Sequence, residues 1–223
     1  MITKPELSVM KLEWIKPPKI IKRIFSNYCW DIPSKDNSVY LTFDDGPIPE
    51  VTPWVLAELK KYEAKATFFC IGDNIRKHSD IFRQVIEAGH SVGNHTFHHL
   101  NGWNNTIRKY VEDAEQCQKI ININCKPNVV NDKLFRPPYG KIRPRQSVLL
   151  RKKGYKIIMW SILSADYDVT LSKEQCLENV IRNIQPGSII VFHDSLKAFP
   201  RLEYALPRTL EFLKEKGFSF KKL

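Results

Sequence analysis

Two adjacent carboxylates, Asp44 and Asp45, follow an apolar run at residues 39–43 that predicts a buried strand. Gly46-Pro47 then ends the strand and turns the chain. Because neighbouring side chains on an extended segment point to opposite sides, the two carboxylates can have different partners. One could bind a cation while the other acts as a base. The same residues also fit an acidic turn, since Asp-Gly and Gly-Pro pairs are frequent in loops.

Two histidines further along the chain, His95 and His99, have a spacing that suits metal ligands. Residues four apart on a helical turn lie on one face, so both imidazoles could bind one metal ion. One carboxylate of the Asp44–Asp45 pair would make a third ligand and leave the fourth position of a catalytic zinc site open for water. A cluster of partly exposed histidines is the alternative, and it fits His98. Two other histidines, His78 and His90, have no such spacing and are predicted to be surface residues.

Three further candidate residues, Arg136, Asp166 and His193, each come at or soon after the end of a predicted strand. In a parallel barrel the carboxyl ends of all strands share one rim, which is the face where barrel enzymes place their chemistry. Reactive residues placed at random would not concentrate after strands. Their common position therefore indicates a shared site more strongly than any single motif does.

The rest of the chain alternates between apolar strands and amphipathic helices. The predicted strands are residues 39–43, 66–71, 91–93, 133–135, 155–160, 188–192 and 218–220. The predicted helices are residues 51–62, 74–88, 105–123, 144–153, 173–184 and about 203–216. Four glycines stand between a helix and the next strand, where a left-handed residue closes a helix: Gly89, Gly154, Gly187 and Gly217. This alternation predicts an α/β protein with a parallel sheet, and about seven units predict a single-domain (β/α) barrel.

The composition sets the protein class and the compartment that we expect. A chain of 223 residues with 43% hydrophobic residues can bury the core of one larger domain. The sequence has no apolar run of roughly 18 residues, which a transmembrane helix would require, so stable membrane insertion is not expected. The first 18 residues carry acids and prolines where a secretory signal would be apolar, so we expect a cytoplasmic protein. Residues 1–38 are predicted to form an arm packed on a catalytic domain at residues 39–223.

The cysteines and the net charge limit the cysteine sites and the binding partners that we expect. The five cysteines are scattered without a CxxC pair, which argues against a disulfide framework or a cysteine zinc site. A net charge of +11 favours anionic partners in general. The lysines and arginines are spread over predicted helix faces, however, so we expect no nucleic-acid partner. The sequence makes no prediction of oligomeric state.

Five segments in order resemble the motifs of polysaccharide deacetylases of the NodB-homology type, also called carbohydrate esterase family 4. They are TFDDGP at 42–47, HTFHH at 95–99, RPPYG at 136–140, the stretch at 160–168 and VFHD at 191–194. The resemblance extends from about residue 39 to the C-terminus. It implies a distorted parallel (β/α) barrel, one divalent metal ion, usually zinc, and hydrolytic removal of acetyl groups from carbohydrate.

The resemblance also implies a role for each matching residue. Asp45, His95 and His99 correspond to the metal ligands of the family. Asp44 corresponds to the general base that takes a proton from the attacking water, and Arg136 to the residue that pairs with this base and orients it.

The other catalytic roles fall on residues nearer the C-terminus. The resemblance implies that Tyr139 offers its backbone N–H to the tetrahedral oxyanion and that His193 protonates the leaving group. It places Asp166 beside His193, although Asp168 is a second carboxylate in the same stretch. Trp160 and Tyr167 fit either core aromatics or sugar-stacking walls. Four residues depart from the residues frequent in the family: Leu100, Leu163, Tyr167 and Val191.

The predicted activity is therefore metal-dependent removal of N-acetyl groups from an oligo- or polysaccharide that contains N-acetylhexosamine. The partner is an acetylated carbohydrate substrate. Two alternatives stay open, namely an O-acetyl esterase on a polysaccharide such as acetyl-xylan and a catalytically silent carbohydrate-binding relative. A silent relative tends to lose an acid or a metal ligand, and this chain retains both.

Overall fold

The computed structural model describes residues 14–34, 36–125 and 133–223. Expectations for the first 13 residues and for the polar loop at 126–132 lie outside these ranges. In chain order the strands are β1 (Ser38–Asp44), β2 (Ala66–Cys70), β3 (Ser91–Asn94), β4 (Leu134–Phe135), β5 (Lys156–Ile157), β6 (Ile162–Leu163), β7 (Ile189–His193) and β8 (Ser219–Phe220). The helices are α1 (Lys19–Ile24), α2 (Thr52–Lys61), α3 (Gly72–Lys77), α4 (Ser79–Glu87), α5 (Ile107–Asn124), α6 (Pro144–Lys152), α7 (Lys173–Ile181) and α8 (Phe199–Glu215).

All strand pairs of the sheet are parallel. Seven strands form a path in the order β5-β4-β3-β2-β1-β7-β6, and β8 pairs with the first residues of β1. Helices alternate with the strands along the chain, as a parallel sheet requires. The predicted α/β fold, a distorted parallel (β/α) barrel, is confirmed. In the described ranges no helix is long and apolar enough to cross a membrane.

The core lies between the central strands and the helices that cover them. Phe43 of β1 stacks against Phe68 of β2 and Phe192 of β7, with ring centroids 5.0 and 6.1 Å apart. Leu59 of α2 and Leu206 of α8 belong to the same buried cluster. Each such side chain stabilises the fold by about 2 kcal/mol through burial. The packing fixes the register of β1, β2 and β7, so the residues at their carboxyl ends are held in place.

The N-terminal arm joins the two ends of the strand path. The backbone N–H of Cys29 donates to the carbonyl of Ile157 in β5 over 2.8 Å. On the other side, the N–H of Leu163 in β6 donates to the carbonyl of Ile15 over 2.9 Å. The arm therefore satisfies backbone groups on both β5 and β6, which would otherwise be edge strands.

Two predicted elements are wrong because tertiary contacts divide them. The helix expected at residues 74–88 is two helices, α3 and α4, because His78 leaves the helical conformation at φ −130° and ψ 51°. The strand expected at residues 155–160 is only β5. The Ile158 N–H still donates to Phe135 of β4, but the Met159 N–H donates to Cys29 of the arm. The chain then enters β6, which was not predicted and which pairs with β7.

One glycine and one histidine also differ from their predicted roles. Gly89, Gly154 and Gly217 follow helices with positive φ, as expected. Gly187 does not close α7, which ends at Ile181; it lies in a later turn, where an added Cβ would be 1.9 Å from the Ile32 carbonyl oxygen. His90 is buried, not a surface residue as predicted. Its Nδ1 accepts the N–H of Ala66 over 3.1 Å, and burial lowers its pKa to about 4.

Candidate active site

The eight predicted site residues come together at the carboxyl end of the sheet. Six of them line one cavity of about 310 Å³: Asp44, Asp45, His95, His99, Tyr139 and His193. The other two, Arg136 and Asp166, lie behind its wall with exposures of 1% and 0%. The topology explains the meeting, because β1, β3, β4 and β7 run parallel and end at the same rim.

The Asp pair sits where β1 ends, and its two carboxylates have different partners. Asp44 is the last residue of β1 and pairs with Arg136 over 2.7 Å. Asp45 has a left-handed backbone with φ 85°, which turns the chain out of the sheet immediately. Its Oδ1 lies 3.2 Å from the Nε2 of His99 and 3.7 Å from that of His95.

Asp194, which the sequence analysis did not single out, fixes the turn that follows the Asp pair. Its Oδ1 accepts the N–H of Gly46 over 3.0 Å, and the Thr52 hydroxyl donates to its Oδ2 over 2.6 Å. A Cβ on Gly46 would lie 2.0 Å from that Oδ2, so the close approach requires glycine. Burial raises the pKa of Asp194 to about 8. The sequence signal for Asp194 was its position as an acid directly after His193 at the end of a predicted strand.

The two histidines share a side of the cavity, but not because they lie on a helical turn. The segment between them is a loop, and Thr96 and His99 have φ values of 62° and 54°. Such left-handed residues cannot continue a right-handed helix. The bend nevertheless brings the rings of His95 and His99 to a centroid distance of 5.0 Å. The predicted helical geometry is therefore wrong, whereas the predicted proximity is observed.

Asp113 of α5 holds this histidine loop. Its Oδ1 accepts the N–H groups of Phe97 over 2.7 Å and of His98 over 3.0 Å. Its Oδ2 pairs with the Nδ1 of His98 over 2.5 Å, which orients that ring toward α5. Asn94, the last residue of β3, accepts the N–H of Thr96 over 2.9 Å. Asp113 is not among the predicted site residues, although its position on the buried face of a predicted helix was a usable signal.

We expect Asp113→Ala to lower the free energy of unfolding by about 1–3 kcal/mol, because the N–H groups of Phe97 and His98 lose their acceptor. Urea denaturation followed by circular dichroism measures this change. Glu112→Ala removes an exposed acid from the same helix and should stay within about 0.5 kcal/mol of the unmodified protein. Equal stabilities for the two variants would contradict the role assigned to Asp113.

Three donor atoms converge in a way that fits a metal ion. Oδ1 of Asp45 and ring nitrogens of His95 and His99 all lie within 4.8 Å of one another. The Nδ1 of His95 lies 2.8 Å from the Arg136 carbonyl oxygen and donates to it, so Nε2 carries the lone pair. Burial lowers the pKa of His95 to about 4, which keeps the ring neutral. Asp45 Oδ1 is buried and, among the described residues, accepts no well-formed hydrogen bond.

Those donors would repel one another without a cation between them. Burial acts to raise the pKa of Asp45, but the surrounding imidazoles hold it below its ordinary value, so the carboxylate is charged. A charged oxygen therefore faces the lone pair of His95, and a positive centre between them would satisfy both. One carboxylate and two imidazoles, with room for further ligands, are a donor set that zinc and similar divalent ions accept.

Arg136 connects the base candidate to the ligand candidates. Its Nη1 donates to Asp44 Oδ1 and to the Thr42 hydroxyl, each over 2.7 Å, and its Nη2 donates to the Met159 carbonyl over 2.9 Å. The guanidinium also lies 4.1 Å from the ring centre of Phe69. Burial lowers the pKa of Arg136, but the Asp44 carboxylate opposes this, so the guanidinium stays charged. The contacts hold the Asp44 carboxylate at the cavity wall in one orientation.

His193 lies opposite, paired with Asp166. The Asp166 Oδ1 is 2.7 Å from His193 Nδ1, and its Oδ2 accepts the His193 N–H over 2.9 Å. Burial acts to lower the pKa of His193, but Asp166, together with Asp45 and Asp44, outweighs it and raises the pKa to about 9. The imidazole is therefore protonated at neutral pH. Asp168, the other carboxylate considered, instead accepts from Thr170.

Aromatic and aliphatic side chains form the remaining walls. Tyr139 has φ 59° and packs its ring against His99 at 4.6 Å. Tyr167 packs in the same way against His193 at 4.8 Å. The apolar part of the lining includes Trp160, Leu163 and Val191. Of the four positions that depart from the family's frequent residues, Leu163, Tyr167 and Val191 line the cavity, and Leu100 packs in the core nearby.

Comparisons with known proteins agree with these features. The polysaccharide deacetylase family model matches residues 31–158. A peptidoglycan-N-acetylglucosamine deacetylase of Bacillus cereus is 33% identical over 192 residues, which cover 86% of this chain and 88% of that protein. A chitooligosaccharide deacetylase of Azorhizobium caulinodans is 35% identical over 163 residues, which cover 73% of this chain and 76% of that protein.

A solved structure shows the same fold. The crystal structure of the Bc1960 peptidoglycan N-acetylglucosamine deacetylase has a TM-score of 0.82 and 32% sequence identity to this chain. The superposed region covers 88% of this chain and 91% of the chain in that crystal structure. The family match, the shared sequence and the shared fold agree: the chain belongs to the polysaccharide deacetylase family, the NodB-homology group also called carbohydrate esterase family 4.

Proposed function

We propose that this protein is a metal-dependent hydrolase that removes N-acetyl groups from a glycan containing N-acetylhexosamine. The observation that carries the proposal is the division of one cavity into three parts. The ligand set of Asp45, His95 and His99 lies beside Asp44, and a protonated His193 lines the same cavity. Relatives named as peptidoglycan and chitooligosaccharide deacetylases support the same substrate class.

Amide hydrolysis needs an activated water, a stabilised oxyanion and an acid for the leaving amine. A divalent cation held by Asp45, His95 and His99, for which zinc is the best fit, supplies a Lewis acid that polarises the acetyl carbonyl and acidifies water. Asp44 takes the proton from the attacking water, a task worth about 10²–10⁴-fold in rate. Arg136 holds the Asp44 carboxylate in one orientation at the cavity through its 2.7 Å hydrogen bond.

His193 gives its proton to the nitrogen of the leaving amine. An amine leaves only after protonation, whereas an alkoxide can leave with less help, so a strongly protonated acid suits an amide more than an ester. A protonated His193 can serve this step, and the relatives named as deacetylases support N-deacetylation over O-acetyl ester hydrolysis. Tyr139 donates its backbone N–H to the oxyanion, a contribution on the order of 3 kcal/mol. Leu163 and Val191 form the apolar surface that receives the acetyl methyl group.

The experiment is an acetate-release assay on three substrates, with and without a chelator. We expect release from chito-oligosaccharides and peptidoglycan glycan strands, loss of that release with chelator, and recovery when Zn²⁺ is added. Inductively coupled plasma analysis of the purified protein gives the metal content. Release from acetyl-xylan alone would establish the O-acetyl esterase instead. No release from any of the three, at full metal content, would establish a catalytically silent relative.

A further inference from the structure

Helix α1 of the N-terminal arm presents large apolar side chains to solvent. Ile20 and Ile24 are 60% and 62% exposed, and Phe25, directly after the helix, is 36% exposed. The two isoleucines stand four residues apart, so they lie on one face of the helix. Ile21 instead packs on the buried cluster that contains Trp30. The helix therefore has an inner face that attaches it to the domain and an outer face that is apolar.

Cations surround the outer face, and α1 contains no acid to balance them. Lys19 and Arg23 are exposed residues of the helix, and Lys16 is exposed just before it. In the ranges 14–34, 36–125 and 133–223, none of these three cations has an ion pair. Lys22 differs, since it pairs with Asp31 over 2.6 Å. Positive charge without a counter-charge therefore lies beside the exposed isoleucines.

Helix α6 has the same composition on its exposed side. Val148 and Leu149 are each 41% exposed. Arg145 and Lys152, both exposed, lie about one turn before and after them, and this helix also contains no acid. On its inner side, Leu150 is fully buried in the cluster on which α1 packs. Two helices attached to one cluster therefore expose the same mixture of aliphatic and basic side chains.

The two helices also border one cavity. Ser26 and Tyr28, which follow α1, line a cavity of about 490 Å³ together with Arg151 of α6. Tyr28 stacks on Phe25 with ring centroids 5.4 Å apart, which connects this cavity to the apolar end of α1. The exposed residues of α1 and α6 therefore lie on neighbouring parts of one surface. We call this surface, formed by residues 16–25 and 145–152, the basic apolar face.

We propose that the basic apolar face docks the protein on the surface of an anionic lipid bilayer. Ile20 and Ile24 enter the boundary between headgroups and acyl chains, and the lysines and arginines contact anionic headgroups. Aliphatic residues with lysine and arginine beside them are typical of helices that lie in the plane of a membrane interface. A protein partner fits this face less well, because the cores of protein interfaces are depleted of lysine. The docking does not depend on the proposed function.

Sedimentation of the full chain with sucrose-loaded vesicles tests the docking. One set of vesicles contains equal amounts of phosphatidylglycerol and phosphatidylcholine, and the other contains phosphatidylcholine alone. We expect partitioning to the anionic vesicles to be at least about tenfold stronger in about 0.1 M salt and to weaken in about 0.5 M salt. Ile20→Ser combined with Ile24→Ser should weaken this partitioning by about tenfold or more. Lys19→Gln combined with Arg23→Gln should weaken it by about tenfold as well.

Ile123→Ser combined with Lys60→Gln is the matched control, because it removes an exposed isoleucine and an exposed lysine from α5 and α2. It should leave the partitioning unchanged. Circular dichroism and the urea midpoint verify that every variant is folded. Equal partitioning to both vesicle types, or none to either, would overturn the docking.

Normal partitioning of the variant that lacks Ile20 and Ile24 would overturn the role of α1. Sedimentation velocity without vesicles examines a second copy of this chain as the occupant. Dimers that form with rising concentration, and that the same double variant dissociates, would assign the basic apolar face to self-association and overturn the assignment to lipid.

Discussion

Asp44→Asn is expected to lower kcat by about 10²–10⁴-fold while the protein keeps its full metal content. Asparagine has the shape of aspartate but cannot take a proton from water at neutral pH. It can still accept the hydrogen bond from Arg136, so the cavity wall keeps its form. The three candidate ligand atoms belong to other residues, so metal binding does not depend on Asp44. Acetate release and metal analysis on the same sample measure both quantities.

Asp45→Asn is the matched control, because it changes the adjacent residue in the same way. It removes the charge that faces His95 and His99, so metal content and turnover should fall together.

Asp44→Asn should also lose thermal stability, since the buried Arg136 guanidinium keeps only neutral partners. Near-normal turnover in Asp44→Asn would show that another group is the base.

The strands that the sequence predicts well are those whose burial is continuous. In β1, β2 and β7 nearly every residue is buried, so the apolar run is visible without knowledge of the neighbours. The two-residue strands are different. Ile162 and Leu163 form β6 only because β7 lies on one side and the arm residue Ile15 on the other. Such pairing depends on contacts distant in sequence, which local periodicity does not contain.

The site shows the same division between local and long-range information. The residue types of the ligand set, base and acid are visible in the sequence because the chemistry restricts them to carboxylates and imidazoles. The geometry that unites them is not. His95 and His99 meet through left-handed residues that Asp113 and Asn94 support from other elements. Likewise, the sequence shows Asp194 as an acid at a strand end, but its contact with the turn at Gly46 is visible only in the structure.

Asp166→Asn is expected to move the alkaline limb of the pH–rate profile to lower pH by about two units or more. An acid catalyst is active while protonated, so activity is present below the pKa of His193 and is lost as the pH rises through it. In the unmodified protein the Asp166 carboxylate raises that pKa to about 9 against the effect of burial. In the variant, burial still lowers the pKa of His193, but the Asp166 carboxylate no longer raises it. The pKa of His193 therefore falls toward or below its ordinary value of 6.5.

The profile of kcat/KM from pH 5 to 10 measures this shift, and at pH 8 the variant should be slower by about tenfold or more. A cation at the ligand set lowers the pKa of His193 in both proteins alike, so the difference between them remains. Asp168→Asn is the control, because Asp168 accepts hydrogen bonds from Thr170, whereas Asp166 pairs with His193. It should leave the limb in place. A limb that moves with Asp168→Asn, or stays fixed with Asp166→Asn, would show that the Asp166–His193 contact does not set the protonation of the acid.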